Sequence, residues 1–488
     1  MTRPLRSVAV VMFVLFGALF VNLNYLQVLR AADLADDNRN NRKLINEYQL
    51  QRGSMIVGRG NQQAEIARSV ETDGRYKYQR RYPSGPLYAH LTGFYSIVYG
   101  RGGLEQTVND LLVGDAPEAA IRNFSTFLTG GEQQGDDVIL TVHPTVQKAA
   151  RDALADREGA VVALEPQTGG ILAVYANPTY DPNRLSSFDR DAITEYWEST
   201  EMQRRNPALR ETYPPGSTFK VVTAAAALED GVATETTFED PPTYTPPQTS
   251  VGIPNFGGGL CNGGQRLTLL QALEVSCNTV FARLANQVGS EKLVEQVERF
   301  GLNQEWDSHL PSVPSFIPDE LDPPSTAQSG IGQRDVRVTP LQMAMITGAI
   351  ANDGVLMRPS IVDRVQQFDG RVVRELEPQP LSVGGSSEGQ AVSRSTAADL
   401  QEMMQAVVDS GSGRAAAISG VEVAGKTGTA QVGNGRNPTV WFVGFAPVDD
   451  PQIAVAVVVP DGGEVGAEAT GGAVAAPIAR QVLEAALR

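Results

Sequence analysis

Gly420-Val421-Glu422-Val423-Ala424-Gly425-Lys426-Thr427 admits two readings, and the choice between them decides the fold. Letter for letter it fits G-x-x-x-x-G-K-[ST], the phosphate-cradling loop set between a strand and a helix. Such a loop needs glycine-rich turns inside it and a helix after Lys-Thr, so that free backbone amides converge on phosphates. Here the interior is Val-Glu-Val-Ala, itself strand-like, and Gly428-Thr429-Ala430-Gln431-Val432-Gly433 contains no helix-forming run. The match is accidental, and the segment is read as a strand edge. Lys426 is then a fixed charge, with Thr427 and Thr429 as hydroxyls pointing the same way.

Working outward, strands surround this segment. Val421–Ala424, Val440–Phe445 and Ile453–Val459 follow one another across short polar or Asp-Pro turns, which favours antiparallel pairing. Far upstream, Ala160–Leu164 and Ile171–Tyr175 flank Gln167-Thr168-Gly169-Gly170, a hairpin by its turn chemistry. Helical and loop segments such as Leu267–Gln287 and Pro340–Ala351 fill the middle, and a helix over Ala475–Leu487 ends the chain. The fold class is therefore α+β, with a sheet built from both ends of the sequence and flanked by helices. The Gly/Ser-rich stretch Val383–Gly389 reads as a surface loop. Residues from about 31 to 157 look like a separate small module. Arg52-Gly53-Ser54-Met55-Ile56 and Tyr82-Pro83-Ser84-Gly85 are turn-punctuated there, and Gly103–Leu112 reads as a short amphipathic helix. This module carries no catalytic constellation and is read as a folded spacer.

At 488 residues, 42% apolar and 20% charged, the chain has room for more than one globular domain. Its net charge of -16 and lack of a dense basic run exclude a nucleic-acid backbone as partner. Between Arg6 and Arg30 lie 23 uncharged residues, long enough for a membrane-spanning helix. No small-x-small cleavage site follows the apolar core, so an uncleaved anchor is preferred over a signal peptide. Basic residues on both flanks (Arg3 and Arg6; Arg30, Arg39, Arg42 and Lys43) leave its orientation open. The three histidines, His90, His143 and His309, are scattered, which disfavours a Ser-His-Asp triad and a histidine-built metal site. The two cysteines, Cys261 and Cys277, are either buried thiols or, in an oxidising compartment, a disulfide.

Lysine usage points to chemistry. Only six of 40 basic residues are lysines (Lys43, Lys77, Lys148, Lys220, Lys292 and Lys426), so arginine serves wherever any positive charge suffices. Two of the six fall in short strings that also hold hydroxyls. An amine can lose its proton and act as a base, whereas a guanidinium cannot. In Ser217-Thr218-Phe219-Lys220, Pro214-Pro215-Gly216 stops what precedes, and Ser217 opens an Ala-rich helix. A serine there faces free amides and the positive dipole end, with Lys220 one turn on along the same face. Alone, Ser-x-x-Lys is equally an N-cap beside an exposed lysine, and Ser276-Cys277-Asn278 is equally a turn. In the order Ser-x-x-Lys, Ser-x-Asn, Lys-Thr-Gly, the three strings match the set found in penicillin-binding proteins and class A β-lactamases. Here Cys277 replaces the middle aspartate.

The chain resembles the class B penicillin-binding proteins, the D,D-transpeptidases, over nearly its whole length. The residues that carry the likeness are Tyr213–Lys220, Gly330-Ile331-Gly332-Gln333, Thr339–Ala344, Gly425–Gln431 and Trp441–Pro447. Arg52-Gly53 and Gly103-Leu104-Glu105 are similar to that family's N-terminal module. The compact pedestal, the arginine bias and the lack of a C-terminal extension are most similar to its actinobacterial branch. This resemblance implies a tail and transmembrane anchor over 1–30, a non-catalytic, dimerisation-like pedestal over 31–157 and a transpeptidase domain over 158–488. Ser217 would be the nucleophile acylated by a peptidoglycan stem peptide, Lys220 the base, Ser276 a proton relay and Asn278 the holder of the substrate amide. Lys426, Thr427, Gly428 and Thr429 would bind the substrate, taking its carboxylate, and the backbone amides of Ser217 and Thr429 would form the oxyanion hole. It implies no metal or cofactor and an extracytoplasmic catalytic domain, and hence a Cys261–Cys277 disulfide. It further implies β-lactam inhibition, a separate membrane glycosyltransferase and other cell-wall or division proteins as partners, and no nucleic acid. The rival functions sharing these strings are a serine β-lactamase, for which no deacylating base is found, a β-lactam sensor, and a non-catalytic β-lactam-binding scaffold.

Overall fold

The computed structural model describes residues 2–30, 47–116, 134–306, 309–384, 388–433 and 435–488. Arg39, Arg42, Lys43 and the centre of the 383–389 loop lie outside the described residues. The uncharged N-terminal run forms a helix, Thr2–Asn24, extended by one wider turn over Tyr25–Leu29. Arg6–Leu29 is long and apolar enough to cross a membrane, and none of it is buried against the rest of the chain. At about 1.5 Å per residue these 24 residues reach roughly 36 Å, which exceeds a hydrocarbon core of about 30 Å.

The N-terminal module is built on a six-stranded sheet ordered Val372–Glu375, Val362–Gln366, Asp137–Leu140, Met55–Val57, Ala64–Glu71, Tyr78–Arg81. Its first two strands come from a hairpin far along the chain, with Val365 paired to Val138 and Gln366 to Asp137. The module is therefore completed by a hairpin from the second half of the sequence, a pairing between distant segments that local pattern does not carry. Over 103–112 the single amphipathic helix is replaced by two short ones, Leu104–Thr107 and Asn109–Val113. Glu105 is fully buried there, accepting from Arg52 at 2.9 Å and Arg80 at 2.5 Å.

The second sheet has five antiparallel strands in the order Ala424–Ala430, Thr439–Ala446, Ile453–Val459, Gly159–Leu164, Ile171–Asn177. As expected, both ends of the sequence supply it. Every residue of the two strands Thr439–Ala446 and Ile453–Val459 is buried, because helices cover both faces. Side-chain alternation sorts them. Trp441, Val443 and Phe445 pack with the core helix Pro340–Ala351, while Val440 and Phe442 pack with the terminal helix Gly471–Ala486. The helix Pro144–Leu154 packs on that terminal helix and on Ile171–Asn177, so it goes with the second sheet although composition grouped it with the first module. One strand is shifted from the sequence reading. Val421 sits in a turn against Ile418, and the strand begins at Ala424, so Lys-Thr-Gly-Thr is itself the strand. That strand ends the sheet, leaving one edge free to face a ligand.

Candidate active site

The serine turn is clamped from three sides. Gly216–Phe219 forms a tight 3-10 turn that runs into the helix Lys220–Glu229, whose residues are buried through Leu228. Gly216 adopts φ +54° and donates its N–H to Gly332 O at 2.9 Å, and a Cβ there would meet the Thr429 carbonyl carbon at 2.9 Å. Trp441 donates its indole N–H to Pro214 O at 3.0 Å, and Thr218 its hydroxyl to Pro215 O at 2.8 Å. A side chain at Gly428 would meet Pro215 O at 2.8 Å, so only glycine lets the strand approach the turn this closely. The Gly330–Gln333 and Trp441 motifs thus hold Ser217 against the Lys-Thr-Gly strand.

The helical stretch expected over 267–287 breaks at the second string. Helices Leu269–Glu274 and Asn278–Val288 flank Ser276, which takes the left-handed φ of +63°. For a serine this conformation is uncommon and costs of order 1 kcal/mol. The neighbouring Cys277 is bonded to Cys261, and neither cysteine is free. The Cys261 loop is in turn held by the Asp240 carboxylate, which accepts from the backbone of Cys261 at 2.7 Å, Asn262 at 2.6 Å and Gly264 at 3.1 Å. The strained hydroxyl is thereby braced through a covalent neighbour.

Both string lysines converge on that hydroxyl. Lys220 Nζ lies 2.7 Å from Ser276 O, 2.7 Å from Asn278 Oδ1 and 3.2 Å from Ser276 Oγ. Lys426 Nζ donates to Ser276 Oγ at 2.9 Å and to Thr427 O at 3.1 Å. Both side chains are fully buried, and among the described residues no carboxylate pairs with either. Burial, and then the Lys426 charge, push Lys220 well below the ordinary lysine range. Burial alone brings Lys426 down to about 7. A neutral Lys220 has two hydrogens, and two acceptor-only oxygens at 2.7 Å take both. Its lone pair is left for an O–H donor.

Ser217, Ser276, Asn278, Thr427 and Thr429 line one cavity of about 230 Å³, with the two lysines buried beneath it. The structure thus brings together every chemistry-bearing residue singled out in the sequence. It adds others that the sequence reading missed. Ser412 Oγ lies 2.7 Å from Thr427 Oγ1, and Phe256, 68% exposed, stands at the mouth. Gly471 and Gly472 form the far wall. A Cβ at Gly471 would meet Trp441 O at 2.2 Å, and one at Gly472 would meet Ser412 O at 2.6 Å. A Gly-Gly pair opening the terminal helix was the available signal, although nothing local tied it to the distant strings.

A serine at the head of a buried helix, an amine in place of a histidine base and a second lysine on the facing sheet edge together define a serine acyltransferase of the penicillin-binding type. The chain belongs to the penicillin-binding protein transpeptidase family, class B: residues 159–484 match the penicillin binding protein transpeptidase domain, and residues 52–138 the penicillin binding protein A dimerisation domain. It is 41% identical over its full length to the peptidoglycan D,D-transpeptidase PbpA of Mycolicibacterium smegmatis, spanning 99% of that protein. The protein of the same name from Mycobacterium tuberculosis is 37% identical over all of this chain and 99% of its own. Penicillin-binding protein A from M. tuberculosis, solved as a ceftriaxone acyl-enzyme complex, superposes with a TM-score of 0.85 at 37% identity, covering 91% of this chain and 100% of that one. Its imipenem acyl-enzyme complex gives 0.84 at 36% identity, covering 91% and 100%.

Proposed function

We propose that this chain cross-links peptidoglycan stem peptides as a D,D-transpeptidase through an acyl-enzyme on Ser217. The observation that carries this reading is the placement of Lys220 at the head of the serine helix, a fully buried amine with no carboxylate partner among the described residues and with Nζ 2.7 Å from each of two acceptor oxygens. Lys220 accepts the Ser217 proton as Oγ attacks the penultimate D-Ala carbonyl. The oxyanion takes hydrogen bonds from the Ser217 and Thr429 amides, and Asn278 holds the peptide amide. Lys426, Thr427 and Thr429 bind the terminal carboxylate, whose charge favours the protonated form of Lys426. The proton passes through Ser276, which touches both amines, to the departing D-Ala. An amine of a second stem then attacks the ester, loses a proton along the same path and frees Ser217.

A β-lactam stops at the ester. Among the described residues that line the cavity there is no aspartate, glutamate or histidine to activate water, which favours a long-lived adduct over β-lactamase turnover. Incubation with a fluorescent penicillin followed by peptide mapping should place the label on Ser217, and Ser217→Ala should abolish it in a folded protein. Rapid penicillin hydrolysis, or a label elsewhere, would sink the assignment.

The apolar helix anchors the protein in a membrane, and this reading puts the pedestal (31–157) and catalytic domain (158–488) outside, where the substrate lies and a disulfide persists. Protease added to intact spheroplasts should then cut the catalytic domain. A separate membrane glycosyltransferase, supplying uncross-linked glycan, and other cell-wall or division proteins are the partners this role needs. Recovery of the full chain without any such polymerase after cross-linking in cells would argue against that part.

A further inference from the structure

A second cleft, about 950 Å³, opens beside the catalytic cavity and shares Gln333 with it. Its wall carries five arginines, Arg205, Arg210, Arg334, Arg337 and Arg436, against two carboxylates, Glu211 and Asp461. On a chain where acids outnumber bases 56 to 40, this excess is the reverse of the average surface. One of the two acids is already engaged, since Glu211 pairs with Arg205 at 2.6 Å and accepts from the Tyr213 hydroxyl at 2.8 Å. Arg337 donates to the backbone carbonyls of Arg334 and Val336 at 2.7 and 2.8 Å, which fixes its head without neutralising it. Among the described residues no carboxylate pairs with Arg210, Arg337 or Arg436, so the cleft presents uncompensated positive charge.

Its position relative to the chemistry says what the charge is for. Gln431 and Gly433 follow directly on the strand Ala424–Ala430, whose outer edge lines the catalytic cavity. A peptide laid antiparallel on that edge, with its terminal carboxylate at Lys426 and Thr427 and its reacting carbonyl at Thr429, continues past Gln431 into the arginine cleft. At no more than about 3.3 Å per residue, Gln431 lies up to roughly 7 Å and Gly433 up to roughly 13 Å beyond Thr429, or about two to four substrate residues. The geometry points to a specificity subsite: the arginine cleft binds a carboxylate carried by the stem peptide two to four residues before the bond that is cut. Arg337 and Arg436 are its recognition residues. This inference rests on the transpeptidase reading for the direction of the peptide.

The test uses the full-length chain in detergent, carrying Ser217→Ala so that binding is read without chemistry. Two synthetic peptides ending in D-Ala-D-Ala are compared by calorimetry, one with a free carboxylate three residues before the scissile bond and the other with the corresponding amide. The carboxylate peptide is expected to bind on the order of tenfold tighter, with the ratio falling as salt rises. Arg436→Gln, which removes an exposed side chain that has no partner among the described residues, should bring that ratio close to one, as should Arg337→Gln. Equal binding of the two peptides, or a ratio that both variants leave intact, would overturn the subsite. Penicillin labelling of the unmutated chain is scored separately: its failure would defeat the transpeptidase reading, while the carboxylate-to-amide ratio would still report on the cleft.

Discussion

Two clusters of buried charge in this chain are constructed in opposite ways. In the pedestal, the fully buried Glu105 accepts from Arg52 and Arg80 and from the Tyr82 hydroxyl at 3.2 Å, while Glu47 lies beside Arg52 and Arg101. Burial raises the Glu105 carboxyl, but the charges of Arg80 and then Arg52 outweigh it and hold the group below its ordinary value. In the catalytic domain Lys220 and Lys426 are as deeply buried and meet only neutral oxygens. Pairing preserves charge in the first cluster, and isolation weakens the hold on the proton in the second. Arginine suits the one because it never deprotonates, and lysine the other because it can. The difference explains why so arginine-rich a chain keeps lysine at these two positions.

The largest effect should come from exchanging the two strategies. Lys220→Arg keeps the charge and much of the length but supplies no base, and β-lactam acylation should slow by on the order of 10⁴-fold. Stopped-flow rates with a chromogenic cephalosporin decide it; a variant acylating near the wild-type rate would remove the base role from Lys220.

Breaking the pedestal cluster should show up in stability. Glu105→Gln leaves Arg52 and Arg80 buried without their shared carboxylate, at a cost of about 3–5 kcal/mol. Chemical denaturation should register that loss, while the acylation rate of the folded fraction stays near that of the wild type. A stability change under about 1 kcal/mol would mean the cluster relaxes or hydrates, against its observed burial.

The bridge that braces Ser276 links the two kinds of effect. Reducing Cys261–Cys277 removes a cross-link between residues 16 apart, worth about 3 kcal/mol in the chain-entropy model. Acylation should fall further than stability predicts, on the order of a hundredfold, because Ser276, the proposed relay, loses its brace. Alkylation of the denatured, unreduced protein should modify no cysteine, and modification of both would refute the bridge.

The smallest effect, and the sharpest contrast, is in pH. Unfolded lysine holds its proton to about 10.4, whereas Lys426 has lost it by about 7, so the unfolded state binds more protons between these limits. Stability from this group should therefore rise with pH across that window, by at most about 1.4 kcal/mol per unit, and Lys426→Met should remove its share of the slope and leave that of the buried Lys220. Glu105 gives a slope of the same sign in a separate, acid window, there because its charged form is held rather than disfavoured. Its contribution is present above the ordinary glutamate value and is lost as pH falls through its lower folded value. Denaturation midpoints of wild type and Lys426→Met from pH 7 to 10 would expose the difference, and parallel curves would show that Lys426 stays charged.

The sequence reached the catalytic cluster because order and residue type sufficed. Ser217, Lys220, Ser276, Asn278, Lys426 and Thr427 were each named by short strings, and the scarcity of lysine singled out the two amines. It reached the second sheet because alternating apolar runs mark strands wherever they lie in the chain. Its misses were of another kind. The strand at the Lys-Thr-Gly string was placed three residues early, since Val421-Glu422-Val423 has strand composition but spends itself in a turn. The burial of Glu105 was not legible, because its two arginine partners, Arg52 and Arg80, come from separate segments of the chain. The arginine cleft was invisible, its side chains being dispersed from Arg205 to Arg436.

What the sequence determined by itself was local: which segments extend, that a helix follows Ser217, which run is long and apolar enough to cross a membrane, and which residue types can exchange a proton. What only tertiary structure decided was company. The downward shift of Lys220 depends on burial and then on Lys426, 206 positions away in the chain. The left-handed turn of Ser276 depends on packing and on a bridge that must first close, and the pedestal sheet depends on strands from both halves of the chain. Burial and electrostatic coupling act through space, and no pattern along the chain encodes a distance.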